Sequence, residues 1–464
     1  MKQHSNTDEH PMDQPAGYPL TEGLARFAAE PPPMPPQALA TARDGITDAI
    51  GLLVAARQEA VVQAALRHAV QGQPQGSSSV LLSGQRTRAR DAAFVNAVAA
   101  HAFAMDDVAW GCHPSAVLMP ALLAAGEQAG ATGGDLLRGW VVGYEVLAEL
   151  ATREPGSWHT TGWHPTGVIA PVAVAAAVCH VMRLAPDASR RALGIAASCT
   201  GGLQANFGTQ TKALHAGRVA AAGVEAAELA ALGVTASPHA LEHAQGLLQV
   251  VSPTRQADVG RPFDHRRPAW RSAGSGIAIK KYPLCYSVHR IADAAIDLAA
   301  RPGFDAARVA GIEVWIGTRQ AAMAHHLQPA TDLEARYSVP FAVATGLLAG
   351  AAGFAQLVPA FYGSDAVRRL IAATRVHLVD GVSPDDPVFA PADRVRVTLA
   401  DGSQLDSGEV RFARGHPQLP IASEQLRAKF MDCAASLGEQ RAAWLFGTLQ
   451  ALEQLRDLRE LIAE

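Results

Sequence analysis

The sequence predicts a mainly α protein: a large all-helical domain formed by both chain ends, carrying a smaller α+β lid domain. Three observations predict it. Residues 37–261 hold successive alanine-rich segments with apolar residues at helical spacing. The two-residue alternation of half-buried strands appears only between about 308 and 412, and helical periodicity returns from Ala422 to Glu464. The expected division is residues 37–261 with 413–464 for the helical domain and 262–412 for the lid.

Residues 1–36, ending in PPPMPP, carry little apolar content and are expected to form a mobile N-terminal segment. From Gln37 onward Thr47, Ile50, Leu53 and Val54 share one helical face, and Val61 to Val70 continues after a break. Gly72 to Ser79 reads as a loop and Val80 to Leu82 as a short extended piece. A helix from Asp91 gives way to breakers and aromatics between Met105 and Cys112. The next helix starts at His113-Pro114-Ser115, because proline suits a first helical turn. Further helices are expected over Asp135–Thr152, Val168–Met182, Asp187–Ser198, Lys212–Leu232 and Pro238–Val250. The charged, turn-rich run TRQADVGRPFDHRRPAW after Ser252 reads as a crossing between domains. Beyond it a helix from Ser287 to Leu298 carries His289 in its first turn. Strands follow near 308–318 and 375–380, with a helix over Tyr337–Leu348 and a hairpin turning at Asp401-Gly402.

Composition narrows the function. A formal net charge of −4 gives no electrostatic footprint for a phosphate backbone, so nucleic acid is not an expected partner. The cysteines at 112, 179, 199, 285 and 433 are odd in number and lack CxxC spacing, which argues against a disulfide framework and a thiolate metal centre. The N-terminal residues carry no apolar signal core, and the apolar run from Val168 to Met182 is short of the roughly 20 residues a membrane span needs. A cytoplasmic protein without membrane contact is expected.

Basic side chains stand at the ends of apolar runs. His164 precedes a proline that opens a helix, and Thr209, Thr211, Lys212 and His215 cluster at the start of another. Asp106, Asp107 and His113 occupy the loop between two helices. A helix N-terminus offers unpaired N–H groups and a favourable dipole, so a cation placed there suggests a seat for a carboxylate. The histidine pairs His159/His164 and His325-His326 lack HExxH spacing, and no metal set is read.

The segments HPSAVLMPALLA, GWHPTG, NFGTQTKALHAG, KKYPLCYSVHRIADAA and EARYSVPFAVA follow one another as they do in the MmgE/PrpD family, which the chain resembles over about residues 37–460. The resemblance implies a helical domain, a lid with a cleft between them, a homodimer, and catalysis without metal or organic cofactor. It places His113, His164, Lys212 and His289 on catalytic positions. Thr209, Thr211, His215, Lys281 and Tyr282 from the same segments, and Asp107 from the loop before His113, are expected to bind substrate. Two positions depart from the family: Ala104 stands where an aspartate is usual, and Phe341 where many members carry tyrosine.

The chemistry implied is removal or delivery of a proton next to a carboxylate. A histidine near neutral pKa acts as acid or base, and a fixed cation stabilises the developing charge. The expected function is a lyase on a small di- or tricarboxylate, resembling 2-methylcitrate dehydratase or cis-aconitate decarboxylase. Alternatives are an epimerase of a dicarboxylate such as iminodisuccinate, and a carboxylate-binding pseudoenzyme.

Overall fold

The computed structural model describes residues 17–72, 76–383 and 388–461, and its architecture is mainly α. The helices of the first half are Leu20–Ala29 (α1), Pro36–Ala56 (α2), Ala60–Ala69 (α3), Ala89–His101 (α4), Pro114–Ala129 (α5), Gly133–Ala151 (α6), Pro165–Val181 (α7), Pro186–Ala197 (α8) and Thr211–Ala231 (α9). Local signals set their ends. Proline occupies the first turn of α5, α7 and α8; a Thr132/Asp135 capping box opens α6; Gly130 in the left-handed region closes α5. Every residue of α7 except His180 is buried, as an all-round apolar sequence requires. The helix α9 packs so closely on α7 that a Cβ at Gly223 would lie 2.3 Å from Val174 Cγ1.

Among the described residues the side chains gather into two large hydrophobic clusters and a minor one of Met323, Val388 and Phe389. The larger runs from Leu20 to Ile279 and takes in Leu426, Phe430, Leu445 and Leu449 from the C-terminal helices Ser423–Cys433 and Glu439–Gln450. The smaller runs from Tyr282 to Leu399. It is built on Val309–Gly317 (β3), Thr374–Val379 (β4), Arg394–Leu399 (β5) and Gln404–Asp406 (β6), in the order β4-β3-β5-β6. The β3–β4 pair is parallel, Val314 opposite Val376, and the helices Val339–Ala349 and Asp365–Ala372 lie in the crossover that such a pair needs. The β5–β6 hairpin turns at Asp401-Gly402, with Gly402 at φ 83°.

The structure departs from the sequence reading in four places. Residues 1–16 of the supposed mobile segment lie outside the described residues, but α1 is a packed helix: Leu20, Leu24 and Phe27 are buried, and Phe27 meets the rings of Phe263 and Trp270. Phe263, Ile277 and Ile279, assigned to the lid, sit in the larger cluster because this stretch pairs with Tyr18 and Val108. The helix expected over Pro238–Val250 is reduced to Leu247–Val251, since Gly246 folds back against Ala240 and the residues before it form turns. The helical half also contains a short ribbon of Ser78–Val80 (β1) and Gln85–Thr87 (β2). Among the described residues no single helix is long and apolar enough to cross a membrane.

Packing of α1 carries a consequence. Phe27→Ala removes a fully buried ring and should cost about 3–5 kcal/mol in urea unfolding. A mobile lead-in would give no change.

Candidate active site

Three helix N-termini converge on one cavity. His113 is the N-cap of α5, His164 is the N-cap of α7, and Lys212 is the second residue of α9. All three line the cavity, together with Phe207 and Lys280; Cys285, Tyr286, Tyr337 and Phe389 line it as well. The positive ends of the three helix dipoles favour an anion there.

The loop between α4 and α5 is held by three buried cations. Arg336 donates to the carbonyl of Phe103 at 2.7 Å, Lys280 to Ala104 at 2.7 Å, and Lys429 to Met105 at 2.9 Å. Lys429 is itself paired with Asp48 at 2.5 Å. This anchoring holds Ala104 at φ 52°, a conformation that a non-glycine residue rarely adopts. It also aims Asp106 inward.

Asp106 organises the imidazoles. Its carboxylate accepts from Nδ1 of His101 at 3.0 Å and from Nδ1 of His113 at 2.8 Å; His113 Nδ1 also faces the Asp107 carbonyl at 3.1 Å. With acceptors around both Nδ1 atoms, each ring is assigned the Nδ1–H tautomer, which leaves Nε2 with its lone pair. His101 Nε2 accepts from the Lys212 ammonium at 2.7 Å. His113 is thereby set up as a base whose conjugate acid is steadied by a carboxylate behind it. His164 Nδ1 meets His215 Nδ1 at 3.1 Å, while its Nε2 is buried without a protein partner.

Burial dominates the electrostatics. It would raise Asp106, but His101 and His113 outweigh it and hold the carboxyl well below its ordinary range. Burial pushes Asp107 up to about 8, against the hydrogen bonds of Ser115. It depresses His113 and His164 well below 6.5, and brings His101 and His215 down to about 4, so these rings are neutral at pH 7. Burial and then the charge of Lys280 lower Lys212 to about 7. Two ammonium groups thus share the site with one ionised carboxylate, Asp106, and an incoming carboxylate supplies the missing anion.

A pH dependence follows with a definite sign. Lys212 is charged below its lowered pKa and neutral above it, so kcat/KM should be level from about pH 5 to 6 and fall as pH rises through about 7. Lys212→Arg, whose charge persists, should move that fall out of the measured range. A profile rising through pH 7 would contradict the assignment.

The remaining sequence-predicted residues are placed as follows. Asp107 turns away from the cavity and caps α5, accepting from Ser115 N at 3.0 Å and Ser115 Oγ at 2.6 Å; Asp106 takes the place beside the histidines. Thr209 is exposed and bonds the Asn206 carbonyl, and Thr211 follows it in the same turn; neither lines the cavity of His113. His215 touches it only through His164. Lys281 is exposed, because neighbouring residues of an extended segment point to opposite sides and Lys280 takes the inward one. Tyr282 spends its hydroxyl on Asp293 at 2.6 Å. His289 is buried between Tyr282 and Tyr286 and donates to the Leu284 carbonyl at 3.2 Å; it packs in the smaller cluster rather than lining the cavity. Phe341 is likewise core, so the departure there leaves the cavity unaltered, and the phenols at the cavity wall are Tyr286 and Tyr337.

Sequence reasoning missed His101, Lys280 and Tyr337. The clue for His101 was a histidine on a helix too apolar to be exposed. The structure also brings donor atoms of His101, His113 and His164 within 4.8 Å of one another, a spacing that suits a metal ion. Lys212 already donates to His101 Nε2, and its charge with that of Lys280 opposes a second cation; the donor set fits an anion better.

Comparison with known proteins identifies the family. The MmgE/PrpD N-terminal domain model matches residues 22–259, and the MmgE/PrpD C-terminal domain model matches residues 282–449. Among curated relatives, the cis-aconitate decarboxylase of Mus musculus is 30% identical over 385 residues, covering 79% of this chain and 76% of the relative. That of Homo sapiens is 30% identical over 393 residues, covering 79% and 77%. That of Aspergillus terreus is 26% identical over 427 residues, covering 84% of each. With both domain models matched in order over most of its length, the chain belongs to the MmgE/PrpD family.

Proposed function

We propose that the protein is a lyase that decarboxylates a small unsaturated tricarboxylate of the cis-aconitate type. The observation that carries the reading is the convergence of Lys212, Lys280, His113 and His164 on one cavity, with His113 backed by Asp106. The names of the relatives support the substrate class.

Loss of carbon dioxide from the CH2–carboxylate arm leaves an electron pair that forms a new C=C bond to the central carbon. The old double bond shifts its electrons onto the neighbouring CH carbon, and the carboxylate there shares the charge. Lys212 and Lys280 stabilise that charge. One proton then completes the balance at the CH carbon, giving a 2-methylidene diacid. His113 and His164 are the candidate donors, since Nε2 of each faces the cavity without an assigned protein partner. Neutral rings hold the proton at Nε2 only as one tautomer, so the donor is the histidine whose Nδ1 accepts. His164 qualifies when His215 donates to it across 3.1 Å. His113, with Nδ1–H already bound to Asp106, presents an accepting Nε2 and takes up a proton from solvent that restores the one delivered, since decarboxylation removes none from the substrate.

The test is proton NMR in deuterated buffer containing chelator, with citrate, 2-methylcitrate, cis-aconitate and iminodisuccinate supplied separately. The proposal expects cis-aconitate to disappear with one deuterium entering the new methylene group of the product. Water loss from 2-methylcitrate, or exchange at iminodisuccinate without net change, would replace it with a dehydratase or an epimerase. Loss of turnover on chelation would overturn the metal-free reading.

A further inference from the structure

We propose that Cys285 is a covalent modification site, a thiol inside the anion-seeking cavity that small electrophilic carboxylates alkylate selectively. Cys285 is half-buried and lines the same cavity as Lys212, Lys280 and Tyr337, with Sγ 3.1 Å from Ser287 Oγ. A negative charge on its sulfur would be felt by all three, strengthening the hold of each on its proton. The other cysteines lack this combination. Cys112, Cys179 and Cys433 are buried, and burial pushes their thiols up. Cys199 is exposed, but burial of its sulfur and then the charge of Glu225 raise it, and that charge repels an anion.

A second observation points to a ligand in this cavity. His164 is 1% exposed, lines the cavity, and keeps Nε2 without a partner. A small carboxylate drawn to the two lysines would meet that nitrogen and lie against Cys285. With a haloacid, the sulfur attacks the CH2 carbon, an S–C bond forms and the C–halogen bond breaks. The halide leaves with the bonding pair, and the thiol proton passes to the buffer. The attached carboxylate stays beside Lys212 and Lys280 and blocks the cavity. Labelling needs no turnover, so the site stands or falls independently of the reaction proposed above.

The experiment compares iodoacetate with iodoacetamide on the native protein, with glutathione in the same tube and peptide mapping to follow each cysteine. At Cys285 the ratio of iodoacetate to iodoacetamide rates should exceed that of glutathione by about tenfold or more, the lower end of electrostatic enrichment in a charged cleft. Lys280→Met should bring the ratio down towards that of glutathione; because both reagents attack the same thiolate, the ratio cancels any change in the reactivity of Cys285 itself. If that variant fails to fold, the native ratio alone decides. A ratio at or below that of glutathione, or consumption of Cys199 by iodoacetate before Cys285, would overturn the proposal.

Discussion

Lys212→Met is expected to lower kcat/KM by about 10²-fold or more, the usual loss for one electrostatic stabiliser, and to leave the helical circular-dichroism spectrum intact. The ammonium is buried at the N-terminus of α9, and its short contact is to a neutral imidazole rather than a carboxylate. Removing it therefore breaks no ion pair on which folding depends. Methionine retains the length and helix propensity of the side chain. What is lost is the charge that faces the substrate. His101 Nε2 then has no donor, a modest cost compared with the effect on rate. A well-folded Lys212→Met protein with full activity would remove the basis for a carboxylate seat here.

Asp106→Asn should cost a comparable or larger factor, about 10²–10⁴-fold in kcat. The carboxylate accepts from two Nδ1–H groups, and an amide presents its NH2 to at least one of them. The ring that meets the NH2 must change tautomer, and for His113 that turns the cavity-facing Nε2 from acceptor to donor. His113→Gln should fall in the same range, as expected for loss of a general acid–base group. The double variant should be little worse than either single one, because the two residues act as a unit. Fully additive losses would mean that they act separately.

Legibility in the sequence follows the range of the interactions. The starts of α6 and α7 lie within a few residues of expectation because capping side chains and prolines act locally. The helix α1 was illegible for the opposite reason: its ring partners, Phe263 and Trp270, lie more than 200 residues along the chain. In the site, His113, His164 and Lys212 could be read because each opens a helix. Lys280 rather than Lys281 enters the cavity because Ala278 pairs with Val108, and nothing in a KK dipeptide reports that pairing. His101 hides in an alanine-rich helix until Lys212 is seen to reach it from 111 residues away. Asp106 and Asp107 are chemically identical; only the folded loop sends one to the histidines and the other to cap α5.

The most direct measurement is a crystal structure with tricarballylate, a saturated tricarboxylate that cannot lose carbon dioxide by the allylic route. The account predicts density in the cavity bounded by His113, His164 and Lys280, with one carboxylate about 3 Å from Lys212 Nζ. Ligand bound elsewhere on the protein, with this cavity left unfilled at saturating concentration, would contradict it.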